Sequence, residues 1–251
     1  MTAPPAIVFL GPTLRVAEAR KFADALYLPP AAQGSIIQAV RRHRPRSLLI
    51  IDGVFQSEPA VRHKEILWAL DQGVAVLGAA SMGALRAAEL HPFGMIGIGL
   101  IYRWYRRWTG APDDAVAVVH APPEVGAEPL TLALIDLLRT IKRAERRSAL
   151  GPEEARHLEA AARRLNFRER LWSAVLAGTG IEPGRLVQHL VEQKKHDAIS
   201  ALRRLDKVNP RPPKGEFVWT TNFVRDLAHA KIALPDESSF PRALPDGRFA
   251  S

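Results

Sequence analysis

Short apolar runs alternate with helical patterns through the first hundred residues, and this alternation limits the fold more than any other feature. The runs at 6–10, 47–52 and 74–77 are rich in Val, Ile and Leu. Each is followed by a stretch with the period of an amphipathic helix, at 14–26, 60–70 and 82–90. Further signals are a brief strand at 27–28 and a helix at 35–43. Strands that are apolar on both faces and joined by helices indicate a buried parallel sheet. The sequence therefore predicts an α/β fold, with a mostly parallel sheet core and covering helices.

The second half of the sequence has a different character. Its apolar residues follow the helical period at 130–147, 152–165, 167–176 and 183–205, and Pro-rich stretches lie at 210–214 and 235–245. We therefore predict a C-terminal all-helical region after the sheet. A boundary near Ser148 divides the chain into an α/β core at 1–147 and a helical region with a Pro-rich tail at 148–251.

The composition excludes several kinds of chemistry. The chain has no cysteine, which rules out disulfides, thiolate metal sites and a cysteine nucleophile. The first residues lack a basic segment, Pro4 and Pro5 interrupt their apolar run, and no apolar run approaches the roughly 20 residues that span a bilayer. These observations predict a soluble cytoplasmic protein without a membrane partner.

The charge indicates an acidic partner without identifying it. Lys and Arg number 35 against 26 Asp and Glu, a net charge of +9, which suits nucleic acid or an acidic protein surface equally well. The stretch 103–108 mixes arginines with aromatic residues, as surfaces that bind single strands do. Trp104 and Trp108, four residues apart, are also typical of one face of an amphipathic helix. We favour the helix and do not expect nucleic acid to be the partner.

The stretch 78–90 carries the strongest chemical signal. Ser81 lies between the strand that ends near Leu77 and the helix that begins at Met82, close to the pattern G-x-S-x-G with Ala79 in place of the first glycine. A serine there is exposed at the carboxyl edge of a sheet, beside helix N–H groups that stabilise an oxyanion. The alternative is an ordinary helix N-cap, which is the commoner role of a serine before a helix.

A serine nucleophile needs a base, and Lys64 is a candidate. On the predicted helix 60–70, its neighbours one turn away are Ala60, Val61, Leu67 and Trp68. Such neighbours disfavour the ammonium form and lower the pKa of a lysine, which then serves as the base of a Ser–Lys pair. The alternative is that Lys64 extends past Trp68 into water.

No metal or cofactor site is predicted from the remaining motifs. Asp113 and Asp114 are adjacent after Pro112, and such a pair is more typical of a turn than of a metal site. Three glycines at 94, 97 and 99 stand in the wrong order for a dinucleotide fingerprint.

Several stretches of the sequence resemble TfuA-like proteins. They are 51–55, 63–67, 73–90 and 93–97, with the flanking stretches 9–13 and 113–118. Together they cover about the first half of the chain. The second half is a weaker match, in which 194–198 is the one similar stretch.

The resemblance implies a function. TfuA-like proteins work beside YcaO enzymes, which use ATP to activate a peptide amide so that sulfur replaces its oxygen. They release sulfide from the thiocarboxylated C-terminus of a ubiquitin-like sulfur carrier protein, through a Ser–Lys pair and without a cofactor, and they assist binding of the precursor peptide. On this sequence the pair falls on Ser81 and Lys64. Further candidates, for substrate binding, are Thr13, Asp52, Gly78, Gly83, Arg86 and Glu89. The alternative function is a non-catalytic adaptor that binds the YcaO enzyme and the precursor peptide.

Overall fold

The computed structural model describes residues 5–56, 58–122, 126–209 and 217–233. Its centre is a sheet of five parallel strands in the order β2-β1-β3-β4-β5. The strands are β1 Ala6–Phe9, β2 Leu26–Leu28, β3 Ser47–Ile50, β4 Ala75–Ala79 and β5 Ile96–Ile98. The predicted parallel sheet with covering helices is confirmed, and β5 was not predicted.

Eleven α-helices are found in the described residues. They are α1 Val16–Ala19, α2 Ser35–His43, α3 His63–Asp71, α4 Met82–Leu90, α5 Leu100–Arg107, α6 Leu134–Arg146, α7 Pro152–Arg164, α8 Trp172–Val175, α9 Gly184–Val187, α10 Gln193–Leu202 and α11 Thr221–His229. Short 3₁₀ turns lie at His91–Phe93, Asp113–Val116 and Leu205–Lys207. Among the described helices, none is long and apolar enough to cross a membrane.

The central strands alternate their side chains between two apolar layers. Ile7, Leu48 and Val76 point into a layer with α2, α3 and α4, whereas Val8, Leu49 and Leu77 point into a layer with α10. Because successive side chains of a strand point to opposite faces, strands covered on both sides read as unbroken apolar runs. This is why these strands could be recognised in the sequence.

The helical region returns to the sheet at two places. Ala198, Ala201 and Leu202 of α10 pack on one face, and Phe223 and Leu227 of α11 belong to the apolar layer on the other face. Earlier in the chain, α6 and α7 share a third apolar cluster. The second half of the chain therefore completes the covering of the sheet, and the domain boundary near Ser148 stays a prediction.

The long helix predicted at 183–205 is two helices, α9 and α10. Its interruption lets the N–H of Val191 donate to Thr140 Oγ1 at 2.9 Å and the N–H of Lys194 donate to Asp136 Oδ1 at 3.2 Å. The start of α10 is thereby fixed to α6, which a continuous helix would not permit. The predicted helices at 14–26 and 167–176 are also shorter, reduced to α1 and α8.

Candidate functional site

The strand order creates a crevice at the carboxyl edge of the sheet. The order reverses direction between β1 and β3, and parallel sheets bind ligands outside the strand ends at such a point. A cavity of about 460 Å³ lies there, which we call the serine cavity. Its lining includes Pro12 after β1, Asp52 after β3, Ser81 and Met82 after β4, and Lys194 from α10.

Ser81 lies on a sharp turn between β4 and α4. The preceding residue, Ala80, has φ of 65°, a left-handed conformation that costs a non-glycine residue about 1 kcal/mol or more. The Ser81 side chain makes no capping hydrogen bond to α4, and instead its backbone oxygen accepts from Ala84 at 2.9 Å. The hydroxyl therefore does not have the ordinary N-cap role. A strained strand-to-helix turn that carries a serine at a cavity is the arrangement of a nucleophile elbow.

Gly78 and Gly83 let α4 lie directly on the sheet. A Cβ atom on Gly83 would be 1.8 Å from the carbonyl oxygen of Ile50, and one on Gly78 would be 2.0 Å from the carbonyl oxygen of Gly83. Both are tighter than any real Cβ contact, so only glycine fits. Gly78 and Gly83 were candidates for substrate binding. In the structure neighbouring backbone lies directly against both of them, and neither glycine lines the serine cavity.

The start of α4 offers one candidate oxyanion donor. The N–H of Gly83 donates to the carbonyl oxygen of Ile51 at 3.2 Å, so it is used within the protein. Met82 is the first residue of α4 and lines the serine cavity. Because the first N–H groups of a helix have no intrahelical acceptor, the N–H of Met82 is the group that can meet a substrate oxygen.

Asp52 and Thr13 are brought together beside the cavity. Asp52 is buried, and its Oδ2 accepts from the N–H of Gly11 at 2.9 Å and from that of Thr13 at 3.2 Å. Thr13 Oγ1 donates to Asp52 Oδ1 at 2.6 Å. These three bonds tie the loop after β1 to the end of β3. They make Asp52 a negative charge held at the cavity wall, and they occupy the loop N–H groups that an anion would otherwise bind.

Lys194 is the lysine that lines the serine cavity. Its Nζ donates to the carbonyl oxygen of Val116 at 2.8 Å. Burial lowers the pKa of Lys194, and the nearby carboxylates Asp52 and Asp136 oppose that shift. Desolvation also raises the pKa of Asp136 to about 6. A fully buried amine with a lowered pKa that lines the same cavity as a serine is a candidate base.

Helix α10 is held in place from its other buried positions. Asp197 Oδ2 accepts from the N–H of Ile101, near the start of α5, at 2.7 Å, and its Oδ1 accepts from Gln193 Nε2 at 2.9 Å. A Cβ atom on Gly99 would collide with Asp197, so the helix and the loop before α5 are in close contact. These contacts fix the position from which Lys194 reaches the cavity.

Lys64, the base predicted from the sequence, does not line the serine cavity. Its Nζ donates to the carbonyl oxygen of Val218 at 3.0 Å and lies 5.3 Å from the centre of the Phe217 ring. The apolar neighbours Val61 and Trp68 point into the core while the amine contacts the segment before α11. The structure does not bring Lys64 into the serine cavity, and its visible contact is with the returning C-terminal segment.

Arg86 and Glu89 are also outside the serine cavity. Arg86 Nη1 and His63 Nε2 each lie 2.7 Å from Glu89 Oε2, and Arg86 Nε donates to the carbonyl oxygen of Val61 at 3.2 Å. The three side chains link α4 to α3 and the loop before it. This favours the simple pairing of Arg86 with Glu89 over the orientation of a substrate.

The sequence pattern around Lys194 could have identified this residue, because polar residues occupy positions of α10 that the helical period predicts to be buried. Gln193, Lys194 and Asp197 lie on the buried stripe of α10 with Ala198 and Ala201. Polar residues at core positions of a helix are costly unless they are paired or functional.

The serine cavity has further titratable side chains in its lining, those of Glu58, Asp113 and His120. Within the described ranges, no group of three or more His, Asp or Glu side chains could hold a metal ion.

The comparisons with known proteins point to one family. No curated protein matches the chain. Residues 52–171 match the model of the family described as TfuA-like protein, a segment that begins at Asp52, contains Ser81 and ends before Lys194. The resemblance found in the sequence is confirmed, and over residues 52–171 this chain is similar to the TfuA-like proteins.

Proposed function

We propose that this protein hydrolyses the thiocarboxylated C-terminus of a small sulfur carrier protein and so supplies sulfide to a YcaO enzyme, with Ser81 as nucleophile and Lys194 as base. The observation that carries the proposal is that Ser81 and the buried Lys194 line one cavity at the carboxyl edge of the sheet. The substrate class and the YcaO partner come from the resemblance to TfuA-like proteins.

The proposed reaction has two steps, the formation of an ester on Ser81 and its hydrolysis by water. Neutral Lys194 takes the proton of Ser81, and Oγ attacks the thioacyl carbon while the N–H of Met82 stabilises the developing oxyanion. The carbon–sulfur bond then breaks, the proton returns from Lys194 to sulfur, and hydrosulfide leaves an ester on Ser81. Water attacks the ester with Lys194 again as base, which releases a carboxylate and restores the serine.

The environment of Lys194 suits this role. A lysine acts as a base only when its amine is neutral, and burial favours the neutral form. The bond to Val116 at 2.8 Å fixes the direction of the amine, and the bonds of Asp197 and Asp136 fix its helix. The assignment of the base to Lys64 stays a prediction, and it is tested beside Lys194.

Docking on the YcaO enzyme is a second candidate function, in the form of a non-catalytic adaptor. The surface at the end of α5 supports the adaptor function. Four side chains there are exposed on one short segment, those of Arg103, Arg106, Arg107 and Trp108. Arginine and tryptophan are the residues enriched at the centres of protein interfaces. An adaptor would improve peptide capture without any role for Ser81.

Sulfide release from a thiocarboxylated carrier by the purified protein tests the proposal. The parent should release sulfide at a rate that rises with protein concentration, and Ser81→Ala should not exceed the spontaneous rate. If the parent is also inactive yet increases product formation by the YcaO enzyme when free sulfide is supplied, the adaptor function replaces the hydrolase.

A further inference from the structure

A cavity of about 470 Å³ lies apart from the serine cavity, with which it shares no lining residue. Its walls come from the end of α7, the loop that follows α7, the Asp113–Val116 turn and the start of α6. The charged side chains of the lining are three arginines and one carboxyl group, and we call it the arginine cavity. These side chains belong to Arg163, Arg164, Arg170 and Asp114.

Arg170 places a fixed positive charge in the wall of the arginine cavity. Its side chain is only 2% exposed, and three hydrogen bonds fix its guanidinium group. Nη2 donates to Asp114 Oδ2 at 2.8 Å, Nη1 donates to the carbonyl oxygen of Asp114 at 2.8 Å, and Nε donates to the carbonyl oxygen of Leu165 at 3.1 Å. Because a guanidinium group has five N–H donors, these bonds leave two of them for a ligand.

The two other arginines carry the charge that the lining does not neutralise. Arg163 and Arg164 lie in the last turn of α7 and are exposed. Within the described ranges, neither side chain makes a hydrogen bond or a salt bridge. Asp114, the carboxylate of the lining, is already paired with Arg170. Asn166 adds a further donor, because its Oδ1 accepts from the N–H of Arg168 at 3.0 Å and its NH₂ group is left for a ligand.

The charge of the lining suits a ligand with two negative charges. Three guanidinium groups stand against one carboxylate, and guanidinium groups bind phosphate and carboxylate oxygens through paired N–H donors. A terminal phosphate monoester carries about two negative charges near neutral pH, whereas a carboxylate or a phosphodiester carries a single charge. A phosphodiester within a nucleic acid is also flanked by sugars on both sides, and is therefore less suited to a group as buried as Arg170.

The size and the remaining lining of the arginine cavity suit an organic group attached to the phosphate. Pro112, Leu134 and Leu165 supply apolar surface next to the arginines. Pockets for small organic molecules have volumes of about 300–1,000 Å³ and combine apolar walls with a few polar groups. At about 470 Å³ the arginine cavity is within this range and is much larger than a phosphate group alone.

We propose that the arginine cavity binds a small phosphate monoester, with Arg163, Arg164 and Arg170 around the phosphate group and the apolar side chains in contact with the organic part. The proposal does not depend on the proposed hydrolysis. The Asp113–Val116 turn separates the two sites, since Asp113 lines the serine cavity and Asp114 lines the arginine cavity.

Calorimetric titration of the parent protein with phenyl phosphate tests the chemistry of the ligand. The titration is run at about pH 8, where the phosphate group is a dianion. Phenyl phosphate should bind about tenfold or more tightly than benzoate, which keeps the ring but carries a single charge. It should also bind more tightly than inorganic phosphate, which has no apolar part. Absence of phenyl phosphate binding, or equal binding of benzoate, would overturn the proposal.

The double variant Arg163→Ala/Arg164→Ala tests the place of binding, with Arg143→Ala/Arg146→Ala as the matched control. Each pair lies in the last turn of a helix, so both double variants remove the same charge and the same favourable interaction with a helix dipole. Arg143 and Arg146 do not line the arginine cavity. The first variant should weaken phenyl phosphate binding by about tenfold or more, and the control should stay within about twofold of the parent.

Thermal melting checks that both double variants are folded, which is expected because all four side chains are exposed. An equal loss of phenyl phosphate binding in the two variants would show that the overall positive charge attracts the anion, and it would overturn the proposal. Parent-like binding by the folded Arg163→Ala/Arg164→Ala protein would do the same.

Discussion

Replacement of Lys194 gives the sharpest test of the site. Lys194→Met keeps the length of the buried side chain and removes the amine, and Lys194→Arg keeps a positive charge that cannot be released near neutral pH. Both remove a proton acceptor from the cavity that contains Ser81. General-base catalysis contributes about 10² to 10⁴ in rate, so we expect kcat for thiocarboxylate hydrolysis to fall by that factor in either variant.

The structure indicates that Lys194→Met remains folded. The change leaves the carbonyl oxygen of Val116 without its donor, a loss of about 1–3 kcal/mol against the roughly 5–15 kcal/mol that stabilises a domain. It also removes a buried charge that opposes folding whenever the amine is protonated. Urea unfolding, run beside the assay, measures this cost directly.

The pH dependence of the rate supplies an independent readout. Burial lowers the pKa of Lys194, and only the neutral amine accepts the proton of Ser81. The rate of the parent should therefore fall as the pH falls through that lowered pKa and should level off above it. The residual rate of Lys194→Met should lack this limb.

Lys64→Met is the matched control. It removes the bond to Val218 at 3.0 Å, which costs about 1 kcal/mol of stability, and it should leave kcat within about twofold of the parent. If a folded Lys194→Arg protein releases sulfide at the parent rate while Lys64→Arg does not, the base is Lys64 and the reasoning from the cavity is refuted.

Three further predictions concern the serine, a glycine and a buried carboxyl. Ser81→Ala should leave the melting temperature nearly unchanged, because the hydroxyl makes no capping bond, while sulfide release stops; a large fall in melting temperature would show that the hydroxyl is structural. Gly83→Ala should lower the free energy of unfolding by about 3 kcal/mol or more in urea titrations, since the added Cβ would meet Ile50, whereas Gly110→Ala, in open space, should change it little. Burial raises the pKa of Glu65 from 4.5 to about 7, so the folded state binds its proton more tightly and gains up to about 3 kcal/mol that is complete below pH 4.5 and lost as the pH rises through 7. Glu65→Gln should flatten the unfolding free energy over that range, and an unchanged slope would contradict the assignment.

The strands could be predicted because their burial on both faces leaves unbroken apolar runs. β3 is the clearest case, since every residue of Ser47–Ile50 is buried. β5 was missed because Ile96–Ile98 is short, includes Gly97 and is partly exposed at the sheet edge, so its pairing with β4 comes from the tertiary fold. The start of α4 and the place of Ser81 were predictable from local sequence alone.

The surroundings of the two candidate bases could not be found from local sequence. Lys64 has apolar neighbours on its own helix, but the direction of its amine is decided by Phe217 and Val218, more than 150 residues later in the chain. Lys194 approaches the cavity because Asp136 and Asp197 fix α10 to α6 and α5. Neighbours one helical turn away give only the contacts that a residue makes along its own helix. The contacts with other elements depend on the tertiary fold.

The late position of α10 in the chain has a consequence for when the protein becomes reactive. The segment that matches the family carries Ser81 and ends at residue 171, whereas Lys194 follows only on α10. During synthesis from the N-terminus, the serine is therefore made well before the amine that would activate it. Under the proposed mechanism, a fragment that ends at 171 should be inert toward thioacids, and a nascent chain should gain activity only after α10 has left the ribosome and packed against the sheet.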